Sequence, residues 1–139
     1  MKYETLLEAA KDGMKNAYVP YSNFKVGAAV LTKDGKIYKG CNIENSSYGA
    51  TNCAERTAIF KAVSEGETEL TTIAIVSSSP DFTFPCGICR QVMGEFMLDG
   101  ELVLCNQKGE IKTFTISDIL PFAFTKNELN YEGKSDEIK

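Results

Sequence analysis

Segments with helical and strand-like patterns alternate along this chain, and that alternation limits its fold more than any other feature. Apolar side chains recur at helical spacing over residues 3–17, 52–66 and 86–98. We expect Pro20 to end the first of these helices and Gly66 to end the second. Strand-like patterns occupy residues 24–31, 37–43, 72–76, 102–105 and 111–114. A hairpin is expected at residues 33–36 and a short closing helix at residues 117–120. The alternation predicts an α/β domain layered around one sheet.

Length and charge narrow the possible partners. The 139 residues fit one domain, expected over residues 1–125, followed by a charged tail over residues 126–139 that frays. The net charge of −4 argues against nucleic acid or an anionic membrane as a partner. The longest apolar run covers residues 26–31 and is far shorter than the ~20 residues that cross a bilayer. With no signal-peptide pattern, we expect a cytoplasmic protein.

The chain contains no histidine, which excludes histidine-based catalysis and histidine metal ligands. It contains five cysteines. In a reducing compartment, cysteines are more often metal ligands or buried apolar residues than disulfide partners. The chemistry is concentrated in two segments, Asn52–Ala58 and Pro85–Gln91.

Three cysteines in these segments have the spacing of metal ligands. Cys86 and Cys89 lie on one face of a helix, although such a pair alone is also typical of a redox dithiol. Cys53 would supply a third thiolate, which leaves one tetrahedral position for water, as in catalytic zinc sites. A closed structural site with Cys41 or Cys105 as fourth ligand is the alternative. We expect both of these cysteines to be buried as small apolar residues.

Glu55 follows Cys53 by two residues, a spacing at which side chains on a helix normally diverge by about 200°. A carboxylate beside zinc, but not bound to it, can take a proton from activated water and pass it on. Both residues reach one ion only if the helix points its N-terminus at that ion. Without the cysteines, Glu55 would be interpreted as an acidic residue favoured at a helix start.

Cys-x-Glu followed about thirty residues later by Pro-Cys-x-x-Cys is the signature of zinc-dependent deaminases. Together with two further motifs, it resembles the small cytidine deaminases of nucleoside salvage. The motifs are Tyr21-Ser22-x-Phe24-x-Val26-Gly27-Ala28-Ala29, Gly40-Cys41-Asn42-Ile43-Glu44-Asn45, Cys53-Ala54-Glu55-Arg56 and Pro85-Cys86-Gly87-x-Cys89-Arg90-Gln91. The resemblance covers nearly all of residues 3–125. It implies a three-layer α/β/α sandwich on a five-stranded mixed sheet, with one zinc per subunit in a homotetramer.

The resemblance also implies a role for each site residue. Cys53, Cys86 and Cys89 would bind zinc, and Glu55 would move protons in the hydrolysis of cytidine or deoxycytidine to a uracil nucleoside and ammonia. The substrate-binding positions are Phe24 beside the pyrimidine, Asn42 and Glu44 at the sugar hydroxyl, Ala54, and, reaching into a pocket shared between subunits, Ser46, Tyr48 and Phe124. Phe122 is a second candidate for the last of these.

Charge at the zinc site leads to one more expectation. Three thiolates around Zn²⁺ leave a net charge of about −1, which opposes ionisation of bound water. Helix N-termini directed at the sulfurs would offset that charge. We expect Arg56 to donate a hydrogen bond to a thiolate, and its loss to lower turnover without loss of the fold.

Two other functions stay open. A zinc deaminase of an aminonucleoside antibiotic would share the zinc motifs, and a non-catalytic module would use zinc only to assemble. A polynucleotide editor is disfavoured by the charge of −4 and the absence of tryptophan. A free base offers no sugar for Asn42 and Glu44 to bind, and the charge of Glu44 should disfavour a nucleoside monophosphate.

Overall fold

A mixed β-sheet forms the middle layer of the computed structural model, which describes residues 3–129. Its five strands are β1 (Val26–Thr32), β2 (Ile37–Cys41), β3 (Leu70–Ser77), β4 (Glu101–Cys105) and β5 (Ile111–Thr115). They lie in the order β2-β1-β3-β4-β5, with β3 and β4 parallel and the other neighbours antiparallel. The predicted five-stranded mixed sheet is confirmed.

Helices cover both faces of the sheet. They are α1 (Glu4–Met14), α2 (Ala54–Ser64), α3 (Gly87–Met97) and the short α4 (Ile116–Ile119), with 3₁₀ turns at Tyr48–Ala50 and Lys126–Leu129. Successive residues of β1 point to opposite faces, as the two-residue period of a strand requires. Ala29 packs with α1, whereas Ala28 and Val30 pack with α2 and α3. The three-layer α/β/α sandwich follows from these two apolar layers.

The predicted boundaries need small corrections, and the largest is at the first helix. It ends at Met14, and residues 15–17 continue only as tighter turns, with Ala17 N bonded to Met14 O at 3.1 Å. Tyr18 then leaves the helix because its backbone pairs with the segment after β2, accepting from Glu44 N at 2.8 Å. The prediction that Pro20 ends this helix is therefore wrong. Two strands are also bounded differently from the prediction. Phe24 lies before β1, and Ile43 lies after β2, where it forms an isolated bridge.

Gly40 sets how closely α2 approaches the sheet. A Cβ atom at this position would lie 2.5 Å from Ala58 N and 2.6 Å from Ala54 O, both of which are helix backbone atoms. Only glycine allows α2 to lie directly on β2 at this distance. The position of the α2 N-terminus, which carries Cys53 and Glu55, therefore depends on the absence of a side chain at residue 40.

The predicted tail lies partly inside the described region. Lys126–Leu129 forms a 3₁₀ turn at the point where fraying was expected to begin, whereas residues 130–139 lie outside the described residues. The domain boundary at residue 125 stays a prediction. In the described part of the chain, no helix combines the length and apolar character needed to cross a membrane.

Candidate active site

The N-termini of two helices meet at the predicted metal ligands. Cys53 is the N-cap residue of α2 and Cys86 is the N-cap residue of α3, and both have extended backbones that end the preceding loop. Cys89 lies one turn further along α3, where it is buried. Its backbone N–H donates to Cys86 Sγ at 3.5 Å. Both helices therefore direct their positive N-terminal ends at the sulfur atoms, which favours thiolates.

The sulfur atoms have the spacing of ligands on a tetrahedral ion. Cys53 Sγ and Cys86 Sγ are 3.8 Å apart, and the three sulfurs all lie within 4.8 Å of one another. Ligands at the Zn–S distance of about 2.3 Å in a tetrahedron are about 3.8 Å apart. Across residues 3–129, no fourth side chain with a metal-binding group, whether cysteine or carboxylate, joins the three cysteines. The arrangement matches three protein ligands with one position free.

The remaining cysteines lie elsewhere. Cys105 packs on the α1 side of the sheet, and its thiol donates to Asn106 O at 3.4 Å. Cys41 is buried at the end of β2, where burial raises the pKa of its thiol. Neither supplies a fourth ligand, so the closed structural site is not supported. The expectation that both are buried is confirmed.

Hydrogen bonds concentrate negative charge on Cys53. Contacts with Cys89 and Arg56 lower the pKa of the Cys53 thiol to about 5, against the opposing effect of burial. The same contact with Cys53, together with burial, raises the pKa of Cys89. Arg56 Nη2 donates to Cys53 Sγ at 3.3 Å, which is the contact expected from the sequence. The metal-free cluster is therefore already partly ionised and suits a cation.

Glu55 is the buried carboxyl group beside this cluster. It lies in the first turn of α2 and is only 5% exposed. Burial raises the pKa of Glu55 to about 7, and the charge of Cys53 contributes to the rise. A group with a pKa near neutrality exchanges protons readily in both directions, which is what a general acid–base catalyst needs.

A cleft of about 210 Å³ opens over the cluster and gathers half of the predicted site residues. Its walls include six of the predicted residues: Phe24, Asn42, Cys53, Ala54, Glu55 and Cys86. Cys89 lies beneath the cleft surface, and Arg56 contacts the cluster from the side. A carboxyl group, two of the sulfurs and an aromatic ring therefore face one small cavity.

Comparison with known proteins agrees with this geometry. Residues 1–105 match the family model described as the cytidine and deoxycytidylate deaminase zinc-binding region. A cytidine deaminase of Sporosarcina psychrophila is 51% identical over 135 residues, which cover 96% of this chain and 99% of that protein. The chain belongs to the cytidine deaminase family.

A solved structure supports the same conclusion. A crystal structure of the family's cytidine deaminase from Burkholderia pseudomallei superposes with a TM-score of 0.85 at 49% identity, covering 89% of this chain and all of that one. A blasticidin-S deaminase of Bacillus cereus is more distant, at 33% identity over 130 residues, covering 88% of this chain and 91% of that protein.

Asn42 and Glu44, which belong to one of the cytidine deaminase motifs, line two neighbouring clefts. Asn42 lines the first, where its Oδ1 accepts from Val26 N at 2.9 Å and its Nδ2 donates to Phe24 O at 2.8 Å. One amide hydrogen and one lone pair of Asn42 stay available. Glu44 lines a second cleft of about 370 Å³ with Tyr48, and Thr51 contributes to both clefts.

The family positions assigned to neighbouring subunits do not line the cleft that contains Glu55. Ser46 is exposed, and Tyr48 is 76% exposed. Phe124 is also exposed, while its backbone carbonyl accepts from Gln91 Nε2 at 2.7 Å. Phe122 is fully exposed, with a positive φ of 54°. Their roles in substrate binding stay predictions.

Sequence reasoning assigned no role at the site to five residues of the cleft wall, among them Thr83 and Phe84. The Thr83 hydroxyl is 2.6 Å from that of buried Ser77, and the Phe84 ring packs against Phe114 with ring centres 5.7 Å apart. Their position just before Pro85-Cys86 was the only available signal. They belong to a loop without periodicity, which predicts no orientation.

Proposed function

We propose that this chain hydrolyses cytidine and deoxycytidine to uridine and deoxyuridine, releasing ammonia, in pyrimidine salvage. One observation carries this proposal: three sulfurs lie within 4.8 Å of one another, and two of them line a cleft with a buried carboxyl group whose pKa is about 7. Membership of the cytidine deaminase family supports the choice of substrate.

Cys53, Cys86 and Cys89 would hold the zinc ion, one per subunit. Thiolates suit zinc, and the 3.8 Å separation of two sulfurs fits its tetrahedral geometry. When bound, zinc lowers the pKa of water in the fourth position to about 7 and so supplies a nucleophile at neutral pH. Both helix N-termini and Arg56 offset the negative charge of the three thiolates.

Glu55 moves the protons of the reaction. Its carboxylate accepts a proton from the attacking water and passes it to the ring nitrogen. It then accepts the second proton, from the hydroxyl group now on the ring carbon, and delivers it to the departing amine. Cytidine and water then yield uridine and ammonia, so the overall equation is balanced. The buried position of Glu55 keeps its pKa near the working pH, which favours transfer in both directions.

Substrate orientation is assigned to residues around the two clefts. Phe24 and Ala54 contact the pyrimidine, and Asn42 and Glu44 bind the sugar hydroxyl. The free amide hydrogen of Asn42 and the charged carboxylate of Glu44 provide one donor and one acceptor for that purpose. A monophosphate is a poor substrate because Glu44 repels its negative charge.

The active enzyme is proposed to be a homotetramer in which Ser46, Tyr48 and Phe124 reach a neighbouring subunit's pocket. Exposed apolar side chains on α2 and α3, such as Phe60 and Ile88, offer surface for such an assembly. Three reduced metal-binding cysteines favour a reducing compartment such as the cytoplasm. Light scattering of the purified protein tests the subunit number.

A substrate panel tests the function. Zinc-loaded protein is given cytidine, deoxycytidine, cytosine, cytidine monophosphate, a cytosine-containing oligonucleotide and blasticidin S, and ammonia release is measured. We expect rapid release from the two nucleosides alone, and none from the Glu55→Gln variant. Preferential release from blasticidin S would favour the antibiotic deaminase instead. Zinc binding without any release would favour the assembly module.

A further inference from the structure

Ser22 connects two residues that the proposed function assigns to the substrate. Its hydroxyl is hydrogen-bonded to Glu44 Oε2. The same hydroxyl oxygen accepts from the backbone N–H of Phe24 at 3.0 Å. A single side-chain atom therefore joins the carboxylate assigned to the sugar with the residue assigned to the pyrimidine.

The Glu44 carboxylate is held by hydrogen bonds from residues 21 and 22. Glu44 Oε1 accepts from the backbone N–H groups of Tyr21 at 3.0 Å and Ser22 at 3.1 Å. Glu44 Oε2 is bonded to the Ser22 hydroxyl, which leaves one of its lone pairs free. The Ser22 hydroxyl on Oε2 and the two backbone donors on Oε1 therefore orient the carboxylate, and with it that lone pair, together.

The same segment turns sharply before Phe24. Asn23 has a left-handed backbone with φ of 57°, a conformation that asparagine tolerates better than most residues. The Ser22 hydroxyl closes this turn through its bond to Phe24 N. Without the hydroxyl, Phe24 N would lose its partner, and the Glu44 carboxylate would keep only its two backbone donors on Oε1.

We propose that Ser22 is a positioning residue that holds the Glu44 carboxylate and the Phe24 ring in the relative placement required by a pyrimidine nucleoside. This inference rests on the proposed function and adds a determinant of substrate affinity to it. Ser22 lines the cleft that holds Glu44 and not the one that holds Glu55. It therefore affects KM, and the proton transfers of Glu55 proceed without it.

The test compares the kinetics of three variants on cytidine. We expect Ser22→Ala to raise KM roughly three- to tenfold with kcat changed by less than about twofold, because a hydrogen bond to a charged group is lost. Ser22→Thr retains the hydroxyl and should restore KM. The matched control is Ser78→Ala, since the exposed Ser78 hydroxyl also accepts a neighbouring backbone N–H, that of Lys25 at 3.1 Å, without contacting Glu44.

A double substitution identifies the route of the effect. If Ser22 acts through Glu44, Ser22→Ala should change KM less than about twofold in a Glu44→Gln background, because coupled residues are not additive. An unchanged KM in Ser22→Ala, equal losses in Ser22→Ala and Ser22→Thr, or fully additive losses would each overturn the inference while leaving the deaminase activity established. A wild-type protein inactive on cytidine would overturn both.

Discussion

The Nη2 atom of Arg56 lies 3.3 Å from the Cys53 sulfur, one helical turn away on α2. A guanidinium at this distance withdraws charge from a thiolate that is also a proposed zinc ligand. Three thiolates would otherwise leave the zinc site negative and oppose ionisation of its water. The contact therefore links a residue outside the cleft to the chemistry within it.

Replacing Arg56 should slow the reaction without removing the metal. We expect Arg56→Ala to lower kcat roughly ten- to a hundredfold, the usual cost of losing a partner of a metal ligand. Steady-state kinetics and zinc content of the same samples measure the effect. Lys61→Ala is the control, because it removes a cation from α2 whose Nζ bonds Lys39 O and not a sulfur. Equal kcat in zinc-replete wild type and Arg56→Ala would contradict the proposed role.

Zinc content should separate the clustered cysteines from the others. We expect Cys89→Ser to bind far less zinc than the wild type, because it removes one of three sulfurs that lie within 4.8 Å of one another. Cys105→Ser replaces another buried cysteine, on the opposite face of the sheet, and should keep the metal. Metal analysis after gel filtration distinguishes them. Equal zinc in both variants would refute the assigned ligand set.

The metal ligands were predictable because their signal is local. The i, i+3 spacing of Cys86 and Cys89 on a helix brings both sulfurs to one side, and Cys53 was added by its motif. The start of α2 at Ala54 was less predictable, since an extended Cys53 replaces the expected first helical residues. That displacement is what places Cys53 at the helix N-terminus, where its sulfur reaches the others.

The cleft wall and the strand order depend on long-range contacts that periodicity does not report. Phe84 reaches its position by packing on Phe114, in a strand thirty residues later in the chain. β1 lies between β2 and β3, and its pairing with β3 joins Val26 to Ser77. Glu44 was predicted as a sugar ligand, but its three bonds to residues 21–22 could not be inferred from the motif.

A side chain at residue 40 should displace α2. We expect Gly40→Ala to lower the free energy of unfolding by about 1–3 kcal/mol, because the new Cβ would meet backbone atoms of Ala54 and Ala58. Zinc affinity should fall as well, since the same helix carries Cys53. Gly49→Ala is the matched control, as a Cβ there meets nothing within 4 Å. Denaturant unfolding measures the stability of both variants. A Gly40→Ala protein as stable as the wild type would show that α2 does not require the close approach.

Metal-free protein should show an acidic thiol at Cys53. Because its pKa is lowered to about 5, Cys53 is a thiolate throughout the range from pH 8 to pH 6. Its alkylation rate by iodoacetamide should therefore be nearly flat there, whereas an ordinary thiol slows roughly tenfold per pH unit below its pKa. The Cys53 thiolate stabilises the folded state fully above the ordinary thiol pKa, and this stabilisation is lost as the pH falls through about 5. Peptide mapping by mass spectrometry follows the rates. A tenfold decrease per unit at Cys53 would exclude the lowered pKa.

Titration of metal-free protein with zinc, monitored by ammonia release from cytidine, tests the central claim most directly. The account predicts that activity rises in proportion to bound zinc and stops rising at one zinc per chain. Glu55→Gln should bind the same amount of zinc and release no ammonia above background. Full activity without zinc, or none at one zinc per chain, would contradict a three-cysteine zinc site that works with Glu55.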